Sequence, residues 1–357
     1  MKSLQREISL LAGVSQSTVS RALRNHPALP RATCERIQTV ARTLGYEGNP
    51  LLSAVLGSVR RGRGASYLGT LGYLTAHATA DGWRRVATHR DFLDGAKARA
   101  AVLGFKLEPF WAADPAVSGR RMTEILQARG ISALVLGSRS PENRFAELDW
   151  NAFAVVRIGL SAPPQRFHCV VNHQIHTLRM VAGELVDRGY RKIGLAITRW
   201  QNEVVEHNWL AAFLAWHYVT PGLTPVPIHL VERMERKEFL RWYRAHRPDA
   251  VITMNSSCRE WLAAAGASLP DRVGFTLLDW HTEHGDTAGA VQDNSRVGSA
   301  AVDIALGMLQ RNERGAPDNP QVTLIKGYWR NGATVRPRPR ESDATEADPT
   351  ARHPSKP

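Results

Sequence analysis

The stretch Leu11-Ala12-Gly13-Val14-Ser15-Gln16-Ser17-Thr18-Val19-Ser20-Arg21-Ala22-Leu23 constrains this chain more than any other. It reads as two short helices joined by a tight turn. Gly13 stands at the junction, where a sharp change of direction favours a residue without a Cβ. Ser15 follows as an N-cap, its hydroxyl placed to accept from the first free amides of the next helix. In that helix Val19 and Leu23 are four apart and face inward, so Gln16, Ser17, Thr18, Ser20 and Arg21 face outward. Short polar side chains at a helix N-terminus, with an arginine one turn on, suit phosphates and base edges. Standing alone, the stretch would read first as an ordinary capped surface helix.

Its surroundings argue for more. Arg31 to Leu44 carries Ile37, Val40, Ala41 and Leu44 as a helical stripe, and Gly45 marks its end. Three small helices are therefore expected to share a core of Ile8, Val19, Leu23, Ile37 and Leu44. Tyr46-Glu47-Gly48-Asn49-Pro50 and a short apolar helix, Leu51 to Val59, come next, closing on Arg60-Arg61-Gly62-Arg63-Gly64. Residues 1–64 hold ten Lys or Arg against the three acids Glu7, Glu35 and Glu47, more than half of the chain's net charge of +13. A basic excess that coincides with a helix-turn-helix points to a polyanionic partner, double-stranded DNA.

The block Ala-Gly-Val-Ser-x-x-Thr-Val-Ser-Arg, then Thr33 after a short loop, then Leu-Gly-Tyr-x-x-Asn ending at Asn49, resembles the headpiece of the LacI/GalR family of bacterial transcription regulators. The resemblance implies that Gln16, Ser17 and Arg21 contact base edges. Ser15, Thr18, Ser20, Thr33 and Asn49 would serve phosphates and docking. It also implies a hinge helix over Pro50 to Leu56 that folds on DNA and wedges apolar side chains into the minor groove. The intercalating position aligns with Val55, and Leu56 beside it is the alternative. Such a regulator is expected to be a repressor that reads a palindromic operator as a homodimer.

At 357 residues, 43% of them hydrophobic, the chain is long enough for more than one domain. No run of eighteen apolar residues suggests a membrane span, and the N-terminus lacks the apolar core of a signal peptide. Cys34, Cys169 and Cys258 are far apart and form no Cys-x-x-Cys pair, which fits a reducing cytoplasm. From about Ser66, apolar runs alternate with amphipathic helical segments, the pattern of parallel sheets covered by helices. Ligands then bind outside the strand C-termini. The fold class expected is an all-α helix-turn-helix headpiece followed by an α/β, periplasmic-binding-protein-like (type I) effector domain of two doubly wound subdomains. The headpiece would span 1–49, the hinge and basic linker 50–65, and the effector and dimerisation domain 66–338. Within the last, the first subdomain would be 66–160 with 291–322 and the second 161–290 with 323–338. The Pro- and charge-rich residues 339–357 are expected to be a disordered tail.

The body resembles the same family at Asp94-Gly95-Ala96, at Asp187-Arg188-Gly189-Tyr190, at Asp279-Trp280 and at Gln292-Asp293-Asn294 before Gly298. It also departs from it. Asn172 stands where the family usually has Asp, Trp209 where an Arg commonly grips a sugar hydroxyl, and Asn255-Ser256 where an Asn-Asp pair is usual. The small-molecule effector, with carbohydrates among the candidates, is accordingly expected at Trp209, Asn255 and Asp279, with an indole face in place of charged anchors. Trp200 and Trp280 are read either as further lining or as core. The loop His281-Thr282-Glu283-His284-Gly285-Asp286 offers ligand types for a metal but no second cluster, so it reads as a solvated loop. No phosphate loop or nucleophile elbow is present. No catalytic residue, metal or cofactor is expected. The alternative classes are a periplasmic-type solute-binding protein and an α/β enzyme, both of which leave the basic headpiece without a role.

Overall fold

The computed structural model describes residues 4–23, 29–44, 67–139, 147–160 and 167–339. The expected hinge helix with Val55 and Leu56, Asn49 with its expected phosphate contact, and all but the first residue of the tail lie outside these residues. Three helices form the N-terminal unit: α1 (Leu4–Ala12), α2 (Gln16–Ala22) and α3 (Arg31–Thr43). Ile8, Ala12, Val19, Ala22, Cys34, Ile37 and Ala41 are buried between them, with Leu23 and Leu44 packed at the margin. Small Ala and Cys side chains let the helices approach closely. Cys34 is thus a core residue of the headpiece, one helical turn from Ile37. The Gln38 amide donates to the Ala22 carbonyl at 2.9 Å, tying α3 to an otherwise open carbonyl at the end of α2.

The body alternates strands and helices: β1 (Gly69–Ala76), α4 (Ala87–Val102), β2 (Phe105–Trp111), α5 (Gly119–Ala128), β3 (Ala133–Arg139), β4 (Ala154–Ile158) and β5 (His168–Asn172). There follow α6 (Gln174–Asp187), β6 (Ile193–Thr198), α7 (Arg199–Glu203), α8 (Asn208–Val219), β7 (His229–Val231), α9 (Arg236–His246) and β8 (Ala250–Thr253). The chain continues through α10 (Ser257–Ala264), β9 (Gly274–Leu277), β10 (Ala288–Val291), α11 (Asn294–Arg311), β11 (Val322–Ile325) and β12 (Tyr328–Arg330). Two six-stranded sheets result, in the orders β2-β1-β3-β4-β5-β11 and β7-β6-β8-β9-β10-β12. The orders are equivalent, strand for strand. All pairings are parallel except that of β12 with β10. No helix among the described residues is long and apolar enough to cross a membrane.

Two local readings differ from expectation. The amphipathic helical segment expected after β6 is two helices, α7 and α8, separated where Glu206 and His207 take φ of 51° and 63°. Buried Asn202 holds that break: its Oδ1 accepts from the Leu210 amide at 3.1 Å and its carbonyl from the His207 amide at 2.8 Å. The first passage between sheets also falls later than the expected boundary at 160, because β5 pairs with β4 and stays in the first sheet. Likewise β11 pairs with β5, so residues 322–325 lie in the first sheet and the last passage follows Ile325.

The chain therefore passes between the subdomains at 172–174, at 291–294 and at 325–328, and hydrogen bonds join the three crossings. The Asn172 side-chain amide donates to the Gln292 carbonyl at 2.8 Å and to Asn294 Oδ1 at 3.1 Å. The His173 amide donates to the Ile325 carbonyl at 2.8 Å. In the first subdomain, α4 and α11 cross in close contact. A Cβ on Gly95 would fall far inside contact distance of the Ser295 carbonyl, and one on Gly298 inside that of Phe92. These two glycines permit the crossing.

Candidate DNA-reading face and interdomain cleft

On the headpiece, the candidate reading surface is the outer side of α2. Ser15 is extended (φ −67°, ψ 154°) and its hydroxyl accepts from the Thr18 amide at 3.2 Å, the cap expected from the sequence. Ser15 Oγ also lies 2.7 Å from Ser17 Oγ and 2.9 Å from Thr18 Oγ1, so three hydroxyls cluster at the positive end of the helix. Gly13 has φ of 64°, with open space where a Cβ would stand, so the turn asks for glycine through its backbone and not through crowding. Gln16, Ser17 and Arg21 are exposed and Thr18 half-exposed, while Val19 and Ala22 are buried. Thr33 sits half-buried in the first turn of α3, its amide donating to the Pro30 carbonyl at 3.0 Å. Ser20 lies within α2, on the same short helix. The surface is compact, rich in donors and free of carboxylates along α2.

In the body, a cavity of about 430 Å³ opens where the C-terminal ends of the two sheets face each other. The first subdomain contributes His77, Thr88, His89, Phe92, Arg139 and Arg157, and the second Trp200, Gln201, Trp209, Met254 and Asp279. Asn172 and Gln292, from the joined crossings, form part of the same wall. Of the three expected effector residues, Trp209 and Asp279 meet here. Asn255 does not, because its Oδ1 accepts from the Ser257 amide at 3.0 Å and starts α10; its neighbour Met254 lines the cavity instead. Trp200 is lining, with the Arg139 guanidinium 5.3 Å from its ring centre. Trp280 is not: it packs beside the second subdomain's core, under Arg330 at 4.0 Å.

Trp209 is rooted in the second core, and its indole Nε1 is buried without a protein partner. Asp279 is fully engaged. It accepts from the Thr88 hydroxyl at 2.6 Å and from the Asn294 amide at 3.2 Å, and its second oxygen also lies 3.2 Å from His281 Nε2. The other ring nitrogen of His281 lies 3.1 Å from the Asp91 carboxylate on α4. Burial alone would push the His281 imidazole down, but its bonds to Asp279 and Asp91 raise it above its ordinary value. Burial raises the Asp91 carboxyl despite His281, and of the two carboxylates Asp279 does more to raise the His281 imidazole. The loop that offered metal-ligand types therefore spans the subdomains: His281 bridges them, and Glu283 pairs with Arg90 at 3.3 Å.

The residues that sequence reasoning missed are basic or aromatic and stand at strand and helix ends. His89, at the start of α4, is pushed down to about 3 by burial and by the nearby His77, so its ring is neutral, and Nδ1 has no partner. Arg157 interrupts the buried run of β4, between Val156 and Ile158. An arginine next to the last residue of an apolar strand was a readable signal. It required recognising β4 as a strand first.

Residues 6–49 match the family model described as bacterial regulatory proteins, lacI family. No curated protein matches the chain in sequence. Among solved structures, the chain is similar to a transcriptional regulator CelR in complex with cellobiose, at 15% identity and a TM-score of 0.56, over 92% of this chain and 99% of that one. It is similar to a LacI family transcriptional regulator, CCPA, from Weissella paramesenteroides with bound glucose. There the identity is 12% and the TM-score 0.55, over 74% and 98% of the two chains. It is also similar to a lac repressor dimer bound to operator and the anti-inducer ONPF, at 14% and 0.55, over 92% and 98%. Residues 6–49 are thus a domain of the lacI family of bacterial regulatory proteins, and the body behind it has the fold seen in these regulators.

Proposed function

We propose that the protein is a transcriptional repressor that binds a palindromic operator as a homodimer and is released or retained by a small molecule held in the interdomain cleft. The observation that carries this reading is the exposed Gln16–Ser17–Arg21 face on α2 of a lacI-type domain, set in the chain's main basic surplus. Gln16, Ser17 and Arg21 read base edges in the major groove; Ser15, Thr18, Ser20, Thr33 and Asn49 hold phosphates. Val55 or Leu56 enters the minor groove between the two half-sites. Trp209 and Asp279 are effector-site residues, and the glucose and cellobiose of the neighbouring structures put carbohydrates among the effectors to test. The cleft binds and does not catalyse, and the protein works in the cytoplasm, where its DNA is. Selection of bound sequences from a random duplex pool, followed by gel shift, tests the reading. A dyad-symmetric site bound by a dimer is expected, with binding lost when residues 1–64 are removed. Recovery of sequences without symmetry, or binding that survives the deletion, would overturn it.

A further inference from the structure

We infer that the effector is an organic acid whose carboxylate or phosphate is received by Arg157 inside the cleft. This rests on the reading of the cleft as the effector site. Arg157 is half-buried on β4, flanked by buried Val156 and Ile158. One guanidinium nitrogen, Nη1, donates to the Leu160 carbonyl at 2.8 Å; Nε is buried with no partner, and no carboxylate among the described residues pairs with the side chain. A half-buried guanidinium with one nitrogen unsatisfied and no counter-ion is costly, and an oxyanion from a ligand removes that cost with a fork of charge-assisted hydrogen bonds.

The rest of the lining supports the same sign of charge. On the opposite wall, Trp209 Nε1 is a second buried donor without a partner, and an indole can only donate. Arg139 brings a second positive charge over Trp200. Asp279 is the one carboxylate among the described lining residues, and Thr88, Asn294 and His281 already occupy it. The cavity therefore offers donors and lacks the free carboxylate acceptors that would take hydroxyl protons from a neutral polyol. Phe92, Val204, Val205 and Met254 make the remaining wall apolar, suited to a planar or hydrocarbon body attached to the acid.

Calorimetry on the full chain with matched acid and neutral probes tests the proposal: glucuronate and glucose, glucose 6-phosphate and glucose, phenylacetate and 2-phenylethanol, together with inorganic phosphate. At least one acid should bind about tenfold or more tightly than its neutral partner, as expected for a hydrogen bond to a charged group. The pair that shows the preference tells carboxylate from phosphate. In Arg157→Met that advantage should fall below about threefold, whereas Arg157→Lys keeps the preference at lower affinity because the charge remains. Trp209→Phe retains the ring, removes the donor and should weaken whichever probe binds. Equal affinity for acid and neutral partner, or an acid preference that survives Arg157→Met, overturns the acidic effector. If binding is indifferent to Trp209→Phe, the ligand sits elsewhere and the cleft reading fails instead. If no probe binds, inorganic phosphate included, and none shifts the melting temperature, both are overturned.

Discussion

Arg21 and His281 show what one side chain decides in this molecule. Arg21 is exposed at the last turn of α2, and its planar fork can donate to guanine O6 and N7 together, worth about 1–3 kcal/mol of discrimination. Arg21→Ala should therefore weaken binding to the selected operator far more than binding to bulk DNA, measured by gel shift with each duplex. Equal losses would mean that Arg21 meets only phosphates. His281 acts through protonation. Its imidazole is raised in the folded protein, so the stability it contributes is complete below the ordinary value of about 6.5 and is lost as pH rises through the raised value. Asp279 and Asp91 face its ring nitrogens, His284 lies beside it with an imidazole lowered chiefly by burial, and Arg90 pairs with Glu283 at the rim. His89, lowered by burial and by His77 and not by His281, titrates alike in parent and variant and so cancels in a comparison. The melting temperature of the parent should exceed that of His281→Asn most near pH 6, and the gap should narrow towards pH 9. A gap that widens over that range would show that His281 is needed neutral.

Elements differ in how far their own residues specify them. The headpiece was legible because its information is local: a cap, a turn glycine and apolar spacing within one short stretch place Ser15, Gly13 and Val19 as the structure has them. β4 and β5 were not legible. Each is buried on both faces, so neither alternates, and a short apolar run such as Ala154-Val155-Val156 has no period to read. Arg157 was lost with β4, and Asn255 was misplaced because a helix cap and a ligand contact ask for the same residue type. Asn172, which looked like a departure from the family's pattern, proves to join the crossings, a role set by contacts 120 residues away. Two substitutions test elements as units. Pro30 stands before α3 and has no side-chain acceptor, so Pro30→Ser should add a cap worth about 0.5–2 kcal/mol. Slower hydrogen exchange of the α3 amides in the full chain checks this, and unchanged or faster exchange counts against it. Gly298→Ala puts a methyl group against the Phe92 carbonyl at the α4–α11 crossing and should lower stability by about 1–3 kcal/mol in a denaturant titration.

At the scale of the whole molecule, the question is whether the cleft and the DNA-reading helices report to each other. The chain enters the body at β1, in the first subdomain, so the headpieces are attached to that half. The second half meets it through the crossings joined by Asn172, Gln292, Asn294 and His173, and through the Thr88–Asp279–His281–Asp91 bridge. Asp279 belongs to both sets of contacts, since Asn294 at a crossing donates to it and Thr88 on the facing subdomain does too. A ligand seated between Arg157 on one side and Trp209 on the other touches both halves, and its binding energy differs with their separation. In a dimer, a change in that separation moves the two first subdomains and with them the spacing of the headpieces on a palindrome. Thermodynamic linkage then fixes the result in both directions. Operator DNA must shift effector affinity by the same factor by which effector shifts operator affinity, typically about 5–150-fold. Calorimetric titration of an acid probe into the protein, alone and saturated with operator, should give affinities that differ by the factor found when operator is titrated with and without the probe. Identical affinities in both titrations would show that the cleft does not control the headpiece and that the protein binds DNA constitutively.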